Sequence, residues 1–155
     1  MNILDFLDPN SISLQYTAKD STDAITHLGR LLFDAGYVHE TFVAAALDRE
    51  SRLPTGLPLD GEVNAAIPHT EVEHVRKPGL AMATLTAPVT FQNMISPEEA
   101  VPCQLVFVLA LDQPKAQIEM LQEIAGILQQ PATIKGLMSA ITFEDVRATL
   151  QGERS

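Results

Sequence analysis

Thiols and basic side chains are both scarce in this sequence. A single cysteine, Cys103, stands among 155 residues, so no internal disulfide and no cluster of thiolates can form. Ten Lys and Arg residues stand against 20 Asp and Glu residues, which gives a formal net charge of -10 at pH 7. A surface this acidic repels phosphate backbones and anionic lipid headgroups. The composition therefore disfavours nucleic acid and membrane surfaces as partners and favours a protein with a basic docking face.

Long apolar runs are absent as well. The strongest one, residues 105–111, has the length of a β-strand and is far below the roughly 18 apolar residues of a membrane span. The first residues carry an acid at Asp5 and no basic residue, which is unlike a secretory signal peptide. Together with the lone cysteine, these features predict a cytoplasmic protein that does not insert into a membrane.

Several familiar catalytic motifs are missing. There is no Gly-x-Ser-x-Gly turn, no phosphate-binding glycine loop and no dinucleotide fingerprint. His69 and His74 are five residues apart, which does not match the i, i+4 spacing of a helical metal pair. His27 and His39, within or near helices, are expected to be solvated or capping residues, and Cys103 at the head of an apolar strand a buried, inert thiol. We therefore expect neither a metal site nor a cofactor.

Enough apolar material is present for a core. Hydrophobic residues make up 46% and charged residues 19%, which excludes disorder, and the length suits a single domain over residues 1–155. Hydrophobic periodicity predicts strands at 12–16, 65–67, 80–85 and 104–111, helices at 21–35, 38–51, 114–130, 132–139 and 143–151, and a loop at 54–61. Strands interleaved with helices predict an α/β layered sandwich.

His69 has the most informative context among the four histidines. It follows the predicted strand 65–67 and Pro68, and Thr70 with Glu73 forms a capping-box pattern for a helix that begins just after it. Free N–H groups at a helix start stabilise an anion, so a histidine there could be phosphorylated. A turn histidine that hydrogen-bonds its own loop would fit the same pattern.

Arg49 lies on an unusual face of the second predicted helix. At about 100° per residue it is about 20° from Phe42 around the helix, which places it on the inward, apolar stripe. A guanidinium there needs an acidic or phosphate partner, because an unpaired buried charge is costly. That partner could be a bound phosphoryl group. It could also be Asp48, Glu50 or a loop carboxylate, which would make Arg49 a structural residue.

Gln117 has a comparable position at the start of the long helix predicted for residues 114–130. The same angular arithmetic places it within the arc of Ile118, Leu121 and Ile124. An amide in the first turn that faces the apolar side could donate a hydrogen bond to a ligand oxygen. It could equally satisfy a neighbouring carbonyl group.

Several short motifs in a fixed order resemble a known family. They are Arg49-Glu50, Thr55-Gly56 and Ala66-Ile67-Pro68-His69, followed by the apolar block that ends near Leu111. This pattern, over roughly residues 5–150, is similar to the fructose/mannitol-type EIIA domains of the bacterial phosphoenolpyruvate-dependent sugar phosphotransferase system. Finer features resemble the galactitol branch: Phe91-Gln92, Pro54-Thr55-Gly56, His69-x-Glu71-x-x-His74 and Gln129-Gln130-Pro131.

One position departs from the wider family. Most members have a second histidine followed by leucine at the start of the long helix, where this chain has Gln117-Ile118. The galactitol-like branch tends to have glutamine there, so the departure favours that branch. It also removes the histidine that usually lies beside the phosphoryl site.

The resemblance implies an α/β sandwich with a mixed β-sheet flanked by helices, and a phosphohistidine intermediate. His69 would accept a phosphoryl group from the histidine-containing phosphocarrier protein and pass it to a cysteine of a cognate EIIB. Arg49, backbone amides and Gln117 would neutralise phosphoryl oxygens, and Thr55 would belong to the site loop. Both donor and acceptor are proteins, so no nucleotide or Mg²⁺ is implied.

Two other functions compete with polyol transport. A regulatory, nitrogen-type EIIA-like protein would control a partner through its phosphorylation state. That type usually joins Thr-Gly to Ala-Ile-Pro-His by a short glycine-rich run, whereas residues 57–64 intervene here, which favours transport. A hydrolase with His69 as general base is disfavoured, because no nucleophile or carboxylate of fixed spacing accompanies it.

Overall fold

A mixed five-stranded sheet forms the centre of the fold, in a computed structural model that describes residues 2–154 and the side chains of residues 2–152. The strands are β1 (Ile12–Tyr16), β2 (Gly56–Leu57), β3 (Asn64–Ala66), β4 (Gly79–Gln92) and β5 (Ala100–Ala110). They lie in the order β1-β4-β5-β3-β2. The pairs β1–β4 and β3–β5 are parallel, whereas β4–β5 and β2–β3 are antiparallel.

Helices cover both faces of this sheet. They are α1 (Ser21–Asp34), α2 (Phe42–Arg52), α3 (Pro114–Leu128), α4 (Pro131–Ser139) and α5 (Phe143–Arg154). Buried side chains of α1 and α2 pack on one face, and those of α3, α4 and α5 pack on the other. The predicted α/β layered sandwich with a mixed sheet is therefore confirmed. None of these helices, over residues 2–154, is long and apolar enough to cross a membrane.

The central strand β5 is apolar on both faces because both faces are covered. Leu105, Phe107 and Leu109 point into the layer of α3 to α5, whereas Val106 and Val108 point into the layer of α1 and α2. All five side chains are fully buried. Successive side chains of a strand alternate between faces, so a covered central strand requires a continuous apolar run. The carboxyl end of β5 is thereby held rigidly between the two layers.

The ends of α1 follow directly from the sequence. The Asp20 carboxylate accepts a hydrogen bond from the Asp23 N–H at 2.8 Å and so caps the first turn. Gly36, just past the end of the helix, has a φ of 85°, a left-handed conformation that favours glycine. The helix predicted for residues 21–35 is confirmed, with its last residue at Asp34.

Several predicted elements differ from the structure in extent, and three of the differences have a clear cause. The second helix begins at Phe42 rather than at residue 38, because Val38 pairs with Val75 in an isolated antiparallel bridge. The predicted loop 54–61 contains β2, which pairs with β3. The strand predicted for residues 80–85 continues to Gln92, since its second half pairs with the beginning of β5. Each of these three differences comes from a backbone pairing with another segment of the chain.

The buried stripe of α3 is rotated from the predicted one. Ile118 is 58% exposed, whereas Met120, which lies outside the predicted stripe, is fully buried. This helix carries apolar residues on more than one side, so periodicity alone does not select the inward face. Packing against the sheet and α4 selects it.

Candidate active site

His69 lies where the chain leaves β3, beside the end of β5. Its backbone forms an isolated parallel bridge with Leu109, and the Pro68 carbonyl accepts a hydrogen bond from the Leu109 N–H at 3.0 Å. The side chain is 6% exposed. The imidazole therefore stands at the carboxyl end of two parallel strands, the edge at which open α/β sheets commonly bind ligands.

A backbone carbonyl fixes the tautomer of the His69 ring. Nδ1 lies 2.9 Å from the Ile67 carbonyl oxygen, which can only accept a hydrogen bond. Nδ1 therefore carries the proton, and Nε2 keeps its lone pair. The sequence allows two roles for His69, and a hydrogen bond to its own loop is one of them. Because this bond uses Nδ1, Nε2 stays free to react.

Burial keeps the His69 ring neutral. Desolvation is the largest effect and lowers the pKa of His69 below its ordinary value of 6.5. The hydrogen bond to the Ile67 carbonyl opposes this shift, the charge of Arg49 adds to it, and the charge of Glu71 opposes it. At pH 7 the ring is therefore uncharged.

Arg49 lies in the last turn of α2 and reaches a loop carboxylate. Its Nη1 donates to Glu71 Oε2 at 2.9 Å, and the two side chains are 25% and 45% exposed. Its Nε is buried and has no hydrogen-bond partner among the described residues. Among the acidic partners that the sequence allows for Arg49, the structure therefore shows a loop carboxylate, Glu71. The positive charge of the guanidinium acts electrostatically on His69.

The Glu50 carboxylate holds Thr55 with two hydrogen bonds. The Thr55 N–H donates to Oε2 and the Thr55 hydroxyl donates to Oε1, both at 2.8 Å. The Thr55 carbonyl then accepts the Ile67 N–H at 3.3 Å, and the Ile67 carbonyl holds His69. Burial raises the pKa of Glu50, against the effects of Thr55 and Arg49. Sequence reasoning did not assign this anchor to Glu50, although the Arg49-Glu50 motif was its signal.

Gly56 lets two backbones approach closely beside this loop. A Cβ at this position would lie 2.6 Å from the Gln92 carbonyl oxygen, closer than real Cβ contacts. Any side chain would push the end of β4 away from β2. The two residues of the Thr55-Gly56 motif therefore have separate roles, a hydrogen-bonded anchor and a close backbone contact.

Gln117 lies in the first turn of α3, which follows β5 after residues 111–113. This helix begins at the sheet edge that carries His69, because His69 pairs with Leu109 near the end of β5. The Gln117 side chain is half-buried, and its backbone N–H donates to the Gln113 carbonyl at 3.0 Å. Within residues 2–152, no hydrogen bond joins its amide to the His69 ring. A direct role for Gln117 stays a prediction.

The helix predicted to begin at Thr70 is a single 3₁₀ turn. Residues Val72–His74 form this turn, and the Thr70 hydroxyl donates to the Glu71 carbonyl at 2.8 Å instead of capping it. The chain becomes extended again at Val75, which bridges to Val38. One turn does not build the aligned N–H groups of a helix start, so the predicted helix dipole at His69 is wrong.

The remaining histidines have other partners. His27 stacks on Tyr16 with ring centroids 3.9 Å apart and hydrogen-bonds the Ser13 hydroxyl at 2.9 Å, instead of being solvated or capping. Burial lowers the pKa of His27. His39 is exposed near the start of α2, as predicted. His74 is half-buried, and its Nδ1 lies 2.9 Å from a threonine hydroxyl.

Cys103 is inert, as its position in the sequence indicates. The side chain is fully buried in β5, with Sγ 3.4 Å from the Ala65 carbonyl oxygen. Burial raises the pKa of its thiol to about 12. The thiol therefore stays protonated at pH 7 and is not a nucleophile.

Comparison with known proteins places the chain in a family. Residues 5–153 match the family model of the phosphoenolpyruvate-dependent sugar phosphotransferase system, EIIA 2. This chain belongs to that family. The resemblance carried by Arg49-Glu50, Thr55-Gly56 and the His69 motif is thereby confirmed, and the chain is a phosphotransferase component of the EIIA class.

Individual relatives agree with this assignment. The galactitol-specific EIIA component of Escherichia coli (strain K12) is 32% identical over 120 residues, 77% of this chain and 79% of the relative. The crystal structure of IIA mannitol from Escherichia coli has a TM-score of 0.77 at 28% identity, over 93% of this chain and 98% of that one. The Escherichia coli complex of IIA mannitol with phosphorylated IIB mannitol has a TM-score of 0.77 at 27% identity, over 94% and 97%.

Proposed function

We propose that this EIIA protein is the phosphoryl carrier of a galactitol-type phosphotransferase system and that His69 is its phosphorylated residue. The observation that carries the proposal is the buried, neutral ring with Nδ1 held by the Ile67 carbonyl and Nε2 unprotonated. The donor is the histidine-containing phosphocarrier protein, and the acceptor is a cysteine of the cognate EIIB. Residues 1–155 act as one domain, and the protein works in the cytoplasm.

The two transfer steps balance without a further reactant. The Nε2 lone pair of His69 attacks phosphorus while the N–P bond of the donor breaks, and the donor nitrogen keeps that electron pair. Nδ1 retains its proton against the Ile67 carbonyl. In the second step the thiolate of EIIB attacks the same phosphorus, and Nε2 leaves with its electron pair. A fixed tautomer keeps Nε2 ready for both directions.

Arg49 neutralises the phosphoryl oxygens in this proposal. Its buried Nε lacks a partner among the described residues, and its charge already acts on His69. Preorganised donors aimed at developing negative charge are the main catalytic resource of phosphoryl transfer. Thr55 acts indirectly, because Glu50 anchors it and its carbonyl holds the Ile67 backbone.

The galactitol assignment rests on the sequence motifs and on the 32% identity to a galactitol-specific EIIA component. The complex of IIA mannitol with phosphorylated IIB mannitol supports EIIB as the kind of acceptor. A net charge of -10 suits docking faces that are basic. Residues 57–64, which separate Thr55-Gly56 from the His69 motif, favour transport over a nitrogen-type regulatory role.

Labelling with phosphoenolpyruvate, enzyme I and the phosphocarrier protein tests the proposal. We expect one phosphoryl group, stable to base and labile to acid, that peptide mapping locates on His69. Addition of purified EIIB should move the label to a galactitol-type EIIB faster than to a mannitol-type EIIB. An acid-stable label, or a label on another residue, would contradict the phosphohistidine. Preferential transfer to the mannitol-type EIIB would contradict the galactitol assignment alone.

Gln117→Leu should slow phosphoryl transfer about ten- to a hundredfold if the amide donates to a phosphoryl oxygen. The change keeps the volume but removes a hydrogen bond to a charged group, worth roughly 1.5–3 kcal/mol. Gln117→His should stay active and add a pH dependence between about 6 and 7. Transfer rates across this pH range, with melting temperature as the folding control, measure both effects. A wild-type rate in Gln117→Leu would remove Gln117 from the site.

A further inference from the structure

The Glu71 carboxylate binds the Arg49 guanidinium, which is the group proposed to neutralise the phosphoryl oxygens. Its Oε2 accepts a hydrogen bond from Arg49 Nη1 at 2.9 Å, only two residues after His69 in the chain. Both charges affect the pKa of His69, which Arg49 lowers and Glu71 raises. In the unphosphorylated protein the Arg49–Glu71 ion pair therefore accompanies the proposed nucleophile, His69. A phosphoryl group on His69 would add more negative charge to a site that already contains the Glu71 carboxylate.

Building on the proposed function, we propose that Glu71 is a positioning residue that acts through Arg49 and sets the phosphoryl-transfer potential of His69. The carboxylate competes with the phosphoryl oxygens for the same guanidinium. It thereby stabilises the free histidine relative to the phosphohistidine.

The direction of the effect does not depend on where Glu71 goes after phosphorylation. If the phosphoryl group displaces the carboxylate, the ion pair with Arg49 is lost. If the carboxylate stays, two anions share one guanidinium and repel each other. In the first case the Glu71 charge stabilises only the free state, and in the second it raises the free energy of the phosphorylated state, so both cases disfavour phosphorylation. Removal of the Glu71 charge therefore favours phospho-His69.

The size of the effect follows from the exposure of the pair. Arg49 is 25% exposed and Glu71 is 45% exposed, so solvent screens their interaction substantially. Half-exposed ion pairs change an equilibrium by about fivefold, rather than by the orders of magnitude that a fully buried pair would give. A carrier benefits from a shift of this kind, because a phosphohistidine that is too stable does not pass its phosphoryl group on.

Glu73 provides a matched control. It has the same charge, lies two residues further along the same loop and is exposed. In the part of the chain that the structure describes, it forms no ion pair with Arg49, whose carboxylate partner is Glu71. Glu71→Gln and Glu73→Gln therefore change the net charge equally, and only the first removes the competitor.

The test is the equilibrium of phosphoryl exchange between the phosphocarrier protein and the full chain, read by ³¹P NMR. We expect Glu71→Gln to shift the exchange constant toward phospho-His69 about fivefold, with a smaller shift at high salt. Glu73→Gln should leave the constant unchanged, and Glu71→Asp, which keeps the charge, should stay closer to wild type. The pKa of His69, followed by NMR of ¹⁵N-labelled imidazole, should fall in Glu71→Gln only.

The failures of the two proposals are distinguishable. Normal phosphorylation of His69 with an unchanged exchange constant in Glu71→Gln would overturn the role of Glu71 and leave the carrier function intact. An equal shift in Glu73→Gln would also overturn it, since net charge alone would then explain the result. Absence of phosphoryl transfer to wild-type His69 would overturn the carrier function and the role of Glu71 together.

Discussion

His69→Gln is expected to abolish phosphoryl acceptance. The substitution keeps a polar side chain but removes the Nε2 lone pair that would attack phosphorus. Incorporation of label from phosphoenolpyruvate, through enzyme I and the phosphocarrier protein, should fall to background. His74→Gln is the matched control and should accept the phosphoryl group at a near wild-type rate, because the His74 ring is bound to a threonine hydroxyl outside the proposed machinery.

The pH dependence of the wild-type rate supplies a second check on the same residue. The neutral ring is the nucleophile, and burial lowers the pKa of His69. The rate should therefore remain on its plateau as the pH falls through 6.5, the ordinary pKa of imidazole, and should decline only below it.

For the substitutions, loss of phosphoryl acceptance in His74→Gln rather than in His69→Gln would place the site elsewhere.

Arg49→Ala is expected to slow phosphoryl transfer by about 100- to 1000-fold, the usual cost of removing a donor that stabilises developing negative charge. Arg49→Lys should recover part of the rate, because an ammonium keeps the charge but lacks the planar fork of the guanidinium. Arg52→Ala is the control within the same helical turn. Arg52 pairs with Asp48 at the surface, so its loss should leave the rate unchanged.

Thermal unfolding separates a catalytic effect of Arg49 from a structural one. The ion pair with Glu71 is partly exposed and should contribute about 1 kcal/mol or less to the free energy of unfolding. Arg49→Ala should therefore fold and have a melting temperature close to that of the wild type, while its phosphoryl-transfer rate falls by about 100- to 1000-fold. A folded Arg49→Ala protein with a near-normal rate would reduce Arg49 to a structural partner of Glu71.

Much of the fold could be predicted from local patterns. The continuous apolar run of β5 fits a strand covered on both faces, and the Asp20 cap and Gly36 account for the ends of α1. These features depend on neighbours in sequence, through side-chain alternation, capping and glycine at left-handed φ. The family motif around His69 is also contiguous or nearly so, and a local motif of this kind can be recognised from the sequence alone.

Predictions that depended on distant parts of the chain were less successful. The capping-box pattern at Thr70 is locally sound, yet the bridge from Val75 to Val38 extends the chain before a helix can form. Ile118 fits an apolar stripe on α3, but packing against the sheet turns it to solvent. Local propensity is worth tenths of a kcal/mol per residue, so a strand pairing or a packed face overrides it.

The sequence by itself determined the α/β class, the family and the identity of His69 and Arg49 as candidate residues, because periodicity and short motifs are local properties. Only the tertiary structure decided that Glu71 is the partner of Arg49 and that Glu50 anchors Thr55 to the backbone of the histidine loop. It also decided how His69 is shielded from water and which of its nitrogens is free. Burial and partner choice require two segments to meet in space, and spacing along the chain does not specify that meeting.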